Sequence, residues 1–152
     1  MQVVLTPMGL RMGGQRLPCS WGRGGVTRHK REGDGATPTG SHRVVGCLYR
    51  PDRMAAPVDW AVPIGPGDLW SDDPKAKDYN HMTRAPYGFS HERLSRPDPM
   101  YDLVLVLDWN WPVAVPGRGS AIFVHRWRRP GAPTAGCLAL SAPDLLRLTR
   151  AL

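Results

Sequence analysis

The chain has 152 residues, of which 41% are hydrophobic and 22% are charged, and its formal net charge is +7. This length predicts one domain over residues 1–152 with a substantial buried core, and the composition is that of an ordinary globular protein. No apolar run reaches the length of a membrane span, so a transmembrane protein is excluded at this stage.

The positive charge comes mainly from arginine, which supplies 17 of the 20 basic residues. The arginines are scattered along the chain, with the tightest cluster at Arg126, Arg128 and Arg129, whereas nucleic-acid-binding proteins more often present a run or a stripe. We therefore expect no nucleic-acid partner. A basic surface suits an anionic polymer, and the alternative is a solvated surface that reflects compositional bias.

The 17 glycines and 16 prolines predict many turns, and therefore a mainly β fold with a few short helices. Residues 2–6 predict a first strand, and residues 15–19 predict its hairpin partner around Gly13-Gly14. The glycine-rich residues 21–27 predict a turn into a strand, because they lack the motif of a phosphate loop or a dinucleotide site.

Residues 30–40 predict a charged loop, and residues 41–49 predict a strand. Residues 50–67 are proline-rich and lack periodicity, which predicts an ordered segment without regular secondary structure that belongs to the same domain. Residues 70–101 are polar, aromatic and long for a loop, so we expect several of their side chains to line a substrate groove. The alternative is that the aromatic residues among them pack the loop down.

The continuous apolar run 103–107 predicts a central strand that is buried on both faces. Residues 120–125 predict a second strand, in which alternation places Phe123 and His125 on one face, and Ile122 and Val124 on the other.

A helix closes the chain. Ser141 and Asp144 form its predicted capping pair, and the spacing of Leu145, Leu148 and Leu152 predicts one apolar face.

A histidine ends one predicted strand, and a cysteine precedes the next apolar run twelve positions later. The thiolate is the nucleophilic form of cysteine and needs a base nearby, so Cys137 and His125 are a candidate pair for acyl transfer. Gly136 allows close approach of the backbone, whose N–H groups can bind a developing oxyanion. The alternative is a buried structural thiol and a core histidine.

Thr134-Ala-Gly-Cys137-Leu, with the upstream Val-His125, resembles the catalytic signature of the YkuD-type L,D-transpeptidase family. Residues 33–40 (Gly-Asp-Gly-Ala-Thr-Pro-Thr-Gly) are similar to its Gly-Asp-x-x-Thr-Pro-x-Gly segment. Residues 116–125, and residues 70–74 with 79–80, resemble its short single-domain proteobacterial branch, so the likeness covers nearly all of the chain.

The resemblance implies a YkuD-like β-sandwich or mixed-sheet domain that acts on peptidoglycan stem peptides, as donor and acceptor, through a thioester on Cys137. It implies cross-link formation by a monomer, without a metal or organic cofactor. The oxyanion would be bound by the N–H groups of Cys137 and Gly136. The expected substrate-binding residues are Arg126, Trp127, Thr134, Arg96, Tyr101, Trp70, Tyr79, Asn80 and His91.

Two positions depart from the family pattern. Ala135 stands where many members carry histidine or another polar residue, and Ala139 stands where many carry an arginine that helps to position the substrate. The resemblance therefore implies that Arg126, Arg128 or Arg96 supplies this charge.

Other functions fit parts of the sequence. The histidines and cysteines offer metal ligands, but no pair has a zinc-finger or HExxH spacing. The tryptophans and arginines suit a non-catalytic peptidoglycan-binding or glycan-binding module. Water in place of an acceptor amine would make the enzyme an L,D-carboxypeptidase that trims the terminal D-alanine.

The sequence bears in two ways on the compartment. The resemblance favours the periplasm or cell envelope, whereas residues 1–6 lack the features of a secretion signal, which favours the cytoplasm and a role in recycling. Three cysteines cannot all pair, and we expect Cys19 and Cys47 to be buried apolar residues, with a bridge between them as the open alternative.

Overall fold

The structure is a computed structural model that describes all 152 residues. It is mostly β, as the composition predicts, with one 3-10 helix over Pro99–Tyr101 and one α-helix, α1, over Ala142–Ala151. The strands are β1 (Val3–Thr6), β2 (Gly9–Met12), β3 (Gln15–Leu17), β4 (Cys19–Ser20), β5 (Val26–Thr27), β6 (Thr37–Pro38), β7 (Val44–Tyr49), β8 (Val62–Pro63), β9 (Asp68–Ser71), β10 (Met82–Arg84), β11 (His91–Arg93), β12 (Leu103–Leu107), β13 (Phe123–Arg126) and β14 (Leu138–Leu140).

A six-stranded mixed sheet in the order β4-β14-β13-β12-β7-β8 is the largest sheet of the protein. Its β13–β14 and β7–β8 pairs are parallel, and its other pairs are antiparallel. The N-terminal β1, β2 and β3 form an antiparallel sheet in that order. The turn at Gly13-Gly14 is present, but the predicted pairing of residues 15–19 with the first strand is wrong, because β2 lies between β1 and β3 and pairs with both.

The central strand β12 is buried on both faces, as its apolar run predicts. Leu103 and Leu105 belong to one hydrophobic core, which packs against β2, β3 and α1, while Val104 and Val106 belong to a second core that contains Phe123. Successive side chains of a strand point to opposite faces, so this one strand supplies both cores. The second core lies on the face of the sheet that carries the candidate site.

The prediction of a long loop over residues 70–101 is wrong in part. This region contributes to a three-stranded antiparallel sheet, in which β9 lies between β10 and β11. Trp70 is paired with Met82 on one side and with Glu92 on the other. All four residues of β9 are buried, and its neighbours are only three residues long. No alternating pattern therefore marks these strands in the sequence.

The C-terminal helix begins as predicted at Ser141, whose hydroxyl accepts from the Asp144 N–H at 3.2 Å. Leu145 and Leu148 are buried against the first core, but the expectation for Leu152 is wrong, since it follows the helix and is exposed. Neither helix of the protein has the length and apolar character that crossing a bilayer requires.

Candidate functional site

The parallel pairing of β13 and β14 brings His125 and Cys137 to neighbouring strands. Val124 is in register with Leu138, so the preceding residues Phe123 and Cys137 are also neighbours, and the Phe123 N–H donates to the Cys137 sulfur at 3.4 Å. His125 lies two residues after Phe123, on the same face of the sheet. The parallel pairing thus places two residues that are twelve positions apart in sequence on neighbouring chain segments of one sheet face.

Tyr101 lies against this pair of strands. Its ring makes edge contacts with the rings of Phe123 and His125, at centroid distances of 5.9 and 5.4 Å. His125 is 4% exposed and Cys137 is 8% exposed, so both groups are screened from bulk water. Burial therefore dominates their protonation.

The imidazole of His125 is held as a neutral base. Its Nδ1 donates to the Arg126 carbonyl at 2.8 Å, which leaves Nε2 as the nitrogen able to accept a proton. Burial lowers the pKa of His125 to about 4, against the opposing effect of the Arg126 carbonyl, and the positive charge of Arg96 lowers it further. The ring is consequently uncharged near neutral pH.

The sulfur of Cys137 is held as a thiol. It donates to the Ala121 carbonyl at 3.1 Å, and no hydrogen bond joins it to His125. Burial raises the pKa of Cys137 to about 12, the negative charge of Glu92 adds to the rise, and the Phe123 N–H opposes it. The resting site therefore holds a thiol and a neutral imidazole, and use of this thiol as a nucleophile requires transfer of its proton.

Thr134 fixes the turn before Cys137. Its hydroxyl accepts from the Gly136 N–H at 3.1 Å and donates to the Cys137 carbonyl at 2.6 Å. The hydroxyl thus acts as donor and as acceptor within its own loop. This geometry favours a positioning role for Thr134, whereas the resemblance implies substrate binding. The Gly136 N–H is likewise occupied in the resting structure, so its role as an oxyanion donor stays a prediction that requires this bond to open.

The segment with the Gly-Asp-x-x-Thr-Pro-x-Gly pattern packs behind the same turn. Thr37 donates to the Gly136 carbonyl at 2.7 Å and accepts from the Gly22 N–H at 2.9 Å. A Cβ at Gly136, whose φ is +143°, would lie 2.9 Å from the Ala36 carbonyl oxygen. Glycine is therefore required here by the packing of one loop against another.

Glu92 approaches the site from β11. Its carboxylate accepts from the Tyr101 hydroxyl at 2.5 Å, and its pKa is raised by burial despite that bond. The neighbouring His91 is exposed, and its Nδ1 donates to the Phe89 carbonyl at 2.7 Å. Alternation along β11 thus directs Glu92 to the site, whereas the sequence predicts that position for His91.

Trp70, Tyr79 and Asn80 are buried, with exposures of 5%, 3% and 2%. Trp70 stands edge-on to Phe123 at 5.0 Å, and its indole N–H donates to Asn80 at 3.1 Å. The Tyr79 hydroxyl donates to Glu32 at 2.8 Å. This geometry favours the packing role that the sequence leaves open for the aromatic residues, and it extends that role to Asn80.

The arginines predicted to bind substrate differ in their partners. Arg96 lies over the Tyr101 ring at 5.2 Å and is paired with Asp98 through two hydrogen bonds, of 2.9 and 2.5 Å. Arg126 and Arg128 form no salt bridge, and the charge of Arg128 contributes to lowering the pKa of His125. Trp127 is half-buried beside them.

Two contributors to the site escaped the sequence reasoning: the Ala121 carbonyl, and Glu32, which accepts from both Tyr79 and Ser120. Glu92 lies within residues 70–101, from which the sequence predicts groove-lining side chains, but it is not among the residues assigned to substrate binding. A backbone carbonyl leaves no sequence signal, and only tertiary contacts bring the two carboxylates to the site. No group of three or more histidine, cysteine, aspartate or glutamate residues is arranged to hold a metal ion.

Comparison with known families gives one match. A family model described as YkuD, L,D-transpeptidase catalytic domain, matches residues 8–152, which is nearly the whole chain. No curated protein and no solved structure matches it.

Proposed function

This chain belongs to the YkuD family of L,D-transpeptidase catalytic domains, and on that premise we propose that it transfers acyl groups between peptidoglycan stem peptides. The observation that carries the proposal is the placement of two residues of the matched region at one face of the sheet: His125 lies on β13, and Cys137 immediately precedes the adjacent strand β14. Their protonation suits general-base activation of a thiol.

In the proposed first half-reaction, the Cys137 sulfur attacks the carbonyl between the L-centre of the diamino acid and the following D-residue. The thiol proton passes to Nε2 of His125, a carbon–sulfur bond forms, and the carbon–nitrogen bond of the peptide breaks. The proton then moves from His125 to the leaving amine. The products are a thioester on Cys137 and free D-alanine, and His125 is neutral again.

In the second half-reaction, an amine of another stem peptide attacks the thioester carbonyl. A carbon–nitrogen bond forms and the carbon–sulfur bond breaks, while His125 carries the amine proton to the departing sulfur. The result is a cross-link and a regenerated thiol. Water in place of the amine would release a tripeptide, which is the L,D-carboxypeptidase reaction.

The basic residues around the site support an anionic substrate. Neither Arg126 nor Arg128 forms a salt bridge within the protein, and Arg96 lies on the ring that contacts His125. Stem peptides carry free carboxylates, which arginine binds through paired hydrogen bonds. We assign to Arg128, with Arg126, the substrate-positioning charge that Ala139 cannot supply, and we place the enzyme in the cell envelope, where its substrate is assembled.

The test is mass spectrometry of disaccharide-tetrapeptide incubated with the protein and with Cys137→Ala. We expect cross-linked dimer and a thioester adduct on Cys137, both abolished in Cys137→Ala. Cys19→Ala is the matched control, because Cys19 is a free thiol outside the site, and it should retain activity.

Each other outcome has a definite meaning. Loss of D-alanine without dimer would make the protein a carboxypeptidase. Two results would overturn the mechanism: turnover that survives in Cys137→Ala, or a substrate that neither the wild type nor any variant alters. The second result would favour a binding module.

A further inference from the structure

Three consecutive residues before strand β13 are each held by a side chain that is distant in sequence. The segment 119–121 lies between the 70–80 region, residue 32 and the catalytic strand. The three hydrogen bonds run from the Gly119 N–H to the Tyr79 hydroxyl (3.0 Å), from the Ser120 hydroxyl to Glu32 (2.5 Å) and from the Ala121 N–H to Asn80 Oδ1 (2.9 Å).

Ala121 adopts a conformation that its side chain disfavours. Its φ is +53°, in the left-handed region, where a Cβ approaches the following carbonyl oxygen too closely. Such a residue persists only when its surroundings over-determine it. The buried hydrogen bond from the Ala121 N–H to Asn80 supplies that restraint.

The conformation of Ala121 decides where its carbonyl points. That carbonyl accepts the hydrogen bond of the Cys137 thiol at 3.1 Å, while the Phe123 N–H, two residues on, donates to the same sulfur. The sulfur is thus held between one acceptor and one donor of the short segment 121–123. Relaxation of Ala121 to an ordinary backbone conformation would turn the acceptor away.

Asn80 is itself fixed on every side. It is 2% exposed, and its Oδ1 accepts from the Trp70 indole as well as from Ala121. Its Nδ2 donates to the carbonyls of Trp109 and Asn110, at 3.0 and 2.8 Å. Every hydrogen-bonding position of the amide is used, so Asn80 has one orientation.

We propose that Asn80 is a positioning residue for the nucleophile: it holds Ala121 in the left-handed conformation, and the Ala121 carbonyl in turn holds the Cys137 thiol at the start of β14. The proposal rests on the proposed role of Cys137 in acyl transfer. It explains why the Trp70 to Asn80 segment is part of the resemblance although these side chains are buried.

The consequence for the reaction is a defined starting position of the sulfur. A hydrogen bond to the neutral thiol disfavours the thiolate, so loss of the Ala121 acceptor makes the thiol easier to ionise. Misplacement of a nucleophile by a fraction of an ångström slows attack without changing substrate binding. Loss of Asn80 therefore raises thiol ionisation while it lowers turnover, whereas simple unfolding would lower both turnover and the folded fraction.

The variant that tests this is Asn80→Gly. The φ of Asn80 is +59°, which glycine adopts freely, so the variant removes the side chain and keeps the backbone. The pH midpoint of Cys137 alkylation by iodoacetamide should fall by about 0.5–1 unit, the effect of one neutral hydrogen bond. On tetrapeptide substrate, kcat should fall roughly tenfold to a hundredfold with KM unchanged.

Asn110→Gly is the matched control. Asn110 also has a positive φ, of +52°, and its side chain binds Val115 and Gly119, but it does not touch Ala121 through its side chain. Its alkylation midpoint should equal that of the wild type. A second Ala121→Gly substitution in Asn80→Gly should restore the midpoint and most of kcat, because glycine keeps the left-handed conformation without Asn80.

An unchanged midpoint in Asn80→Gly, an equal shift in Asn110→Gly, or no rescue by Ala121→Gly would overturn the proposal. Alkylation needs no transpeptidase substrate, so these results stand even where the proposed function fails. The hydrogen bond from the Cys137 thiol to the Ala121 carbonyl can also be tested in the wild-type fold, by the infrared difference spectrum between wild type and Cys137→Ala. We expect an S–H stretch shifted to lower frequency by hydrogen bonding, and a band at the position of a free thiol would overturn it.

Discussion

At the scale of single residues, burial sets the charges of the two candidate catalytic groups in opposite directions. It lowers the pKa of His125 and raises that of Cys137, so both groups are neutral over a wide range of pH. A preformed thiolate–imidazolium pair is therefore not the resting state. In the proposed mechanism, the thiolate is generated only as the thiol proton moves to His125.

The pH dependence of kcat/KM on tetrapeptide follows from this. His125 must be neutral to act as a base, and its pKa of about 4 lies below the ordinary value of 6.5. We expect the acid limb of the profile to lie well below pH 6.5 and the rate to be level near neutrality. A midpoint at the ordinary histidine value would contradict the burial argument.

Arg96 supplies a matched pair of variants for the same measurement. The charge of Arg96 lowers the pKa of His125, whereas the charge of Asp98, the salt-bridge partner of Arg96, raises that pKa. Arg96→Gln should therefore move the acid limb to higher pH. Arg93→Gln, which removes an exposed arginine on the nearby strand β11, should leave the limb in place.

At the scale of elements, the turn before β14 depends on glycine at position 136. Its carbonyl is bound by Thr37, and the space for a Cβ is filled by the Ala36 carbonyl. The loop over residues 30–40 and the turn that carries Cys137 are consequently packed as one unit. The sheet pairing then brings this unit to β13.

Gly136→Ala should lower the free energy of unfolding by about 2–4 kcal/mol, from backbone strain and overpacking together. Gly131→Ala is the control, because Gly131 also has a positive φ, of +75°, but has open space around it. Strain alone should cost it about 1 kcal/mol. Urea denaturation of the two variants checks the difference, and equal losses would show that the Ala36 contact is not restrictive.

At the scale of the whole molecule, the three thiols are free, so Cys19 and Cys47 form no bridge; Cys47 is buried as predicted, whereas Cys19 is only half-buried. Burial raises the pKa of Cys137 and Cys19 to about 12 and that of Cys47 to about 11, from the ordinary value of 9.0. Above pH 9 the unfolded chain loses these protons and the folded chain keeps them. Stability is therefore lost as the pH rises through this range.

The alkaline loss of stability can be assigned with one variant. Cys47 is fully buried, and between pH 9 and 11 it contributes up to about 1.4 kcal/mol per pH unit to the slope. Cys47→Ala should be less stable at neutral pH. Its free energy of unfolding, measured by urea denaturation between pH 9 and 11, should fall less steeply with pH than that of the wild type, by that amount. An unchanged slope would show that this thiol ionises equally in both states.

The sequence by itself determined the parts of this protein that depend on local pattern. The turn at Gly13-Gly14, the doubly buried strand 103–107 and the helix cap at Ser141 each rest on residues within a few positions of one another, whereas the strand that pairs across this turn was predicted wrongly. The resemblance of the His125–Cys137 region to the YkuD family is also visible in the sequence alone, and the family match over residues 8–152 confirms it.

Only the tertiary structure decided what surrounds the nucleophile. Strands β9, β10 and β11 pair through contacts that no local pattern records, and that pairing directs Glu92 rather than His91 to the site. The Ala121 carbonyl becomes a partner of the thiol because Asn80, 41 positions away, holds its backbone. Buried polar groups take whichever partner the fold brings near, and a carbonyl is identical at every residue, so the sequence cannot specify which one is used.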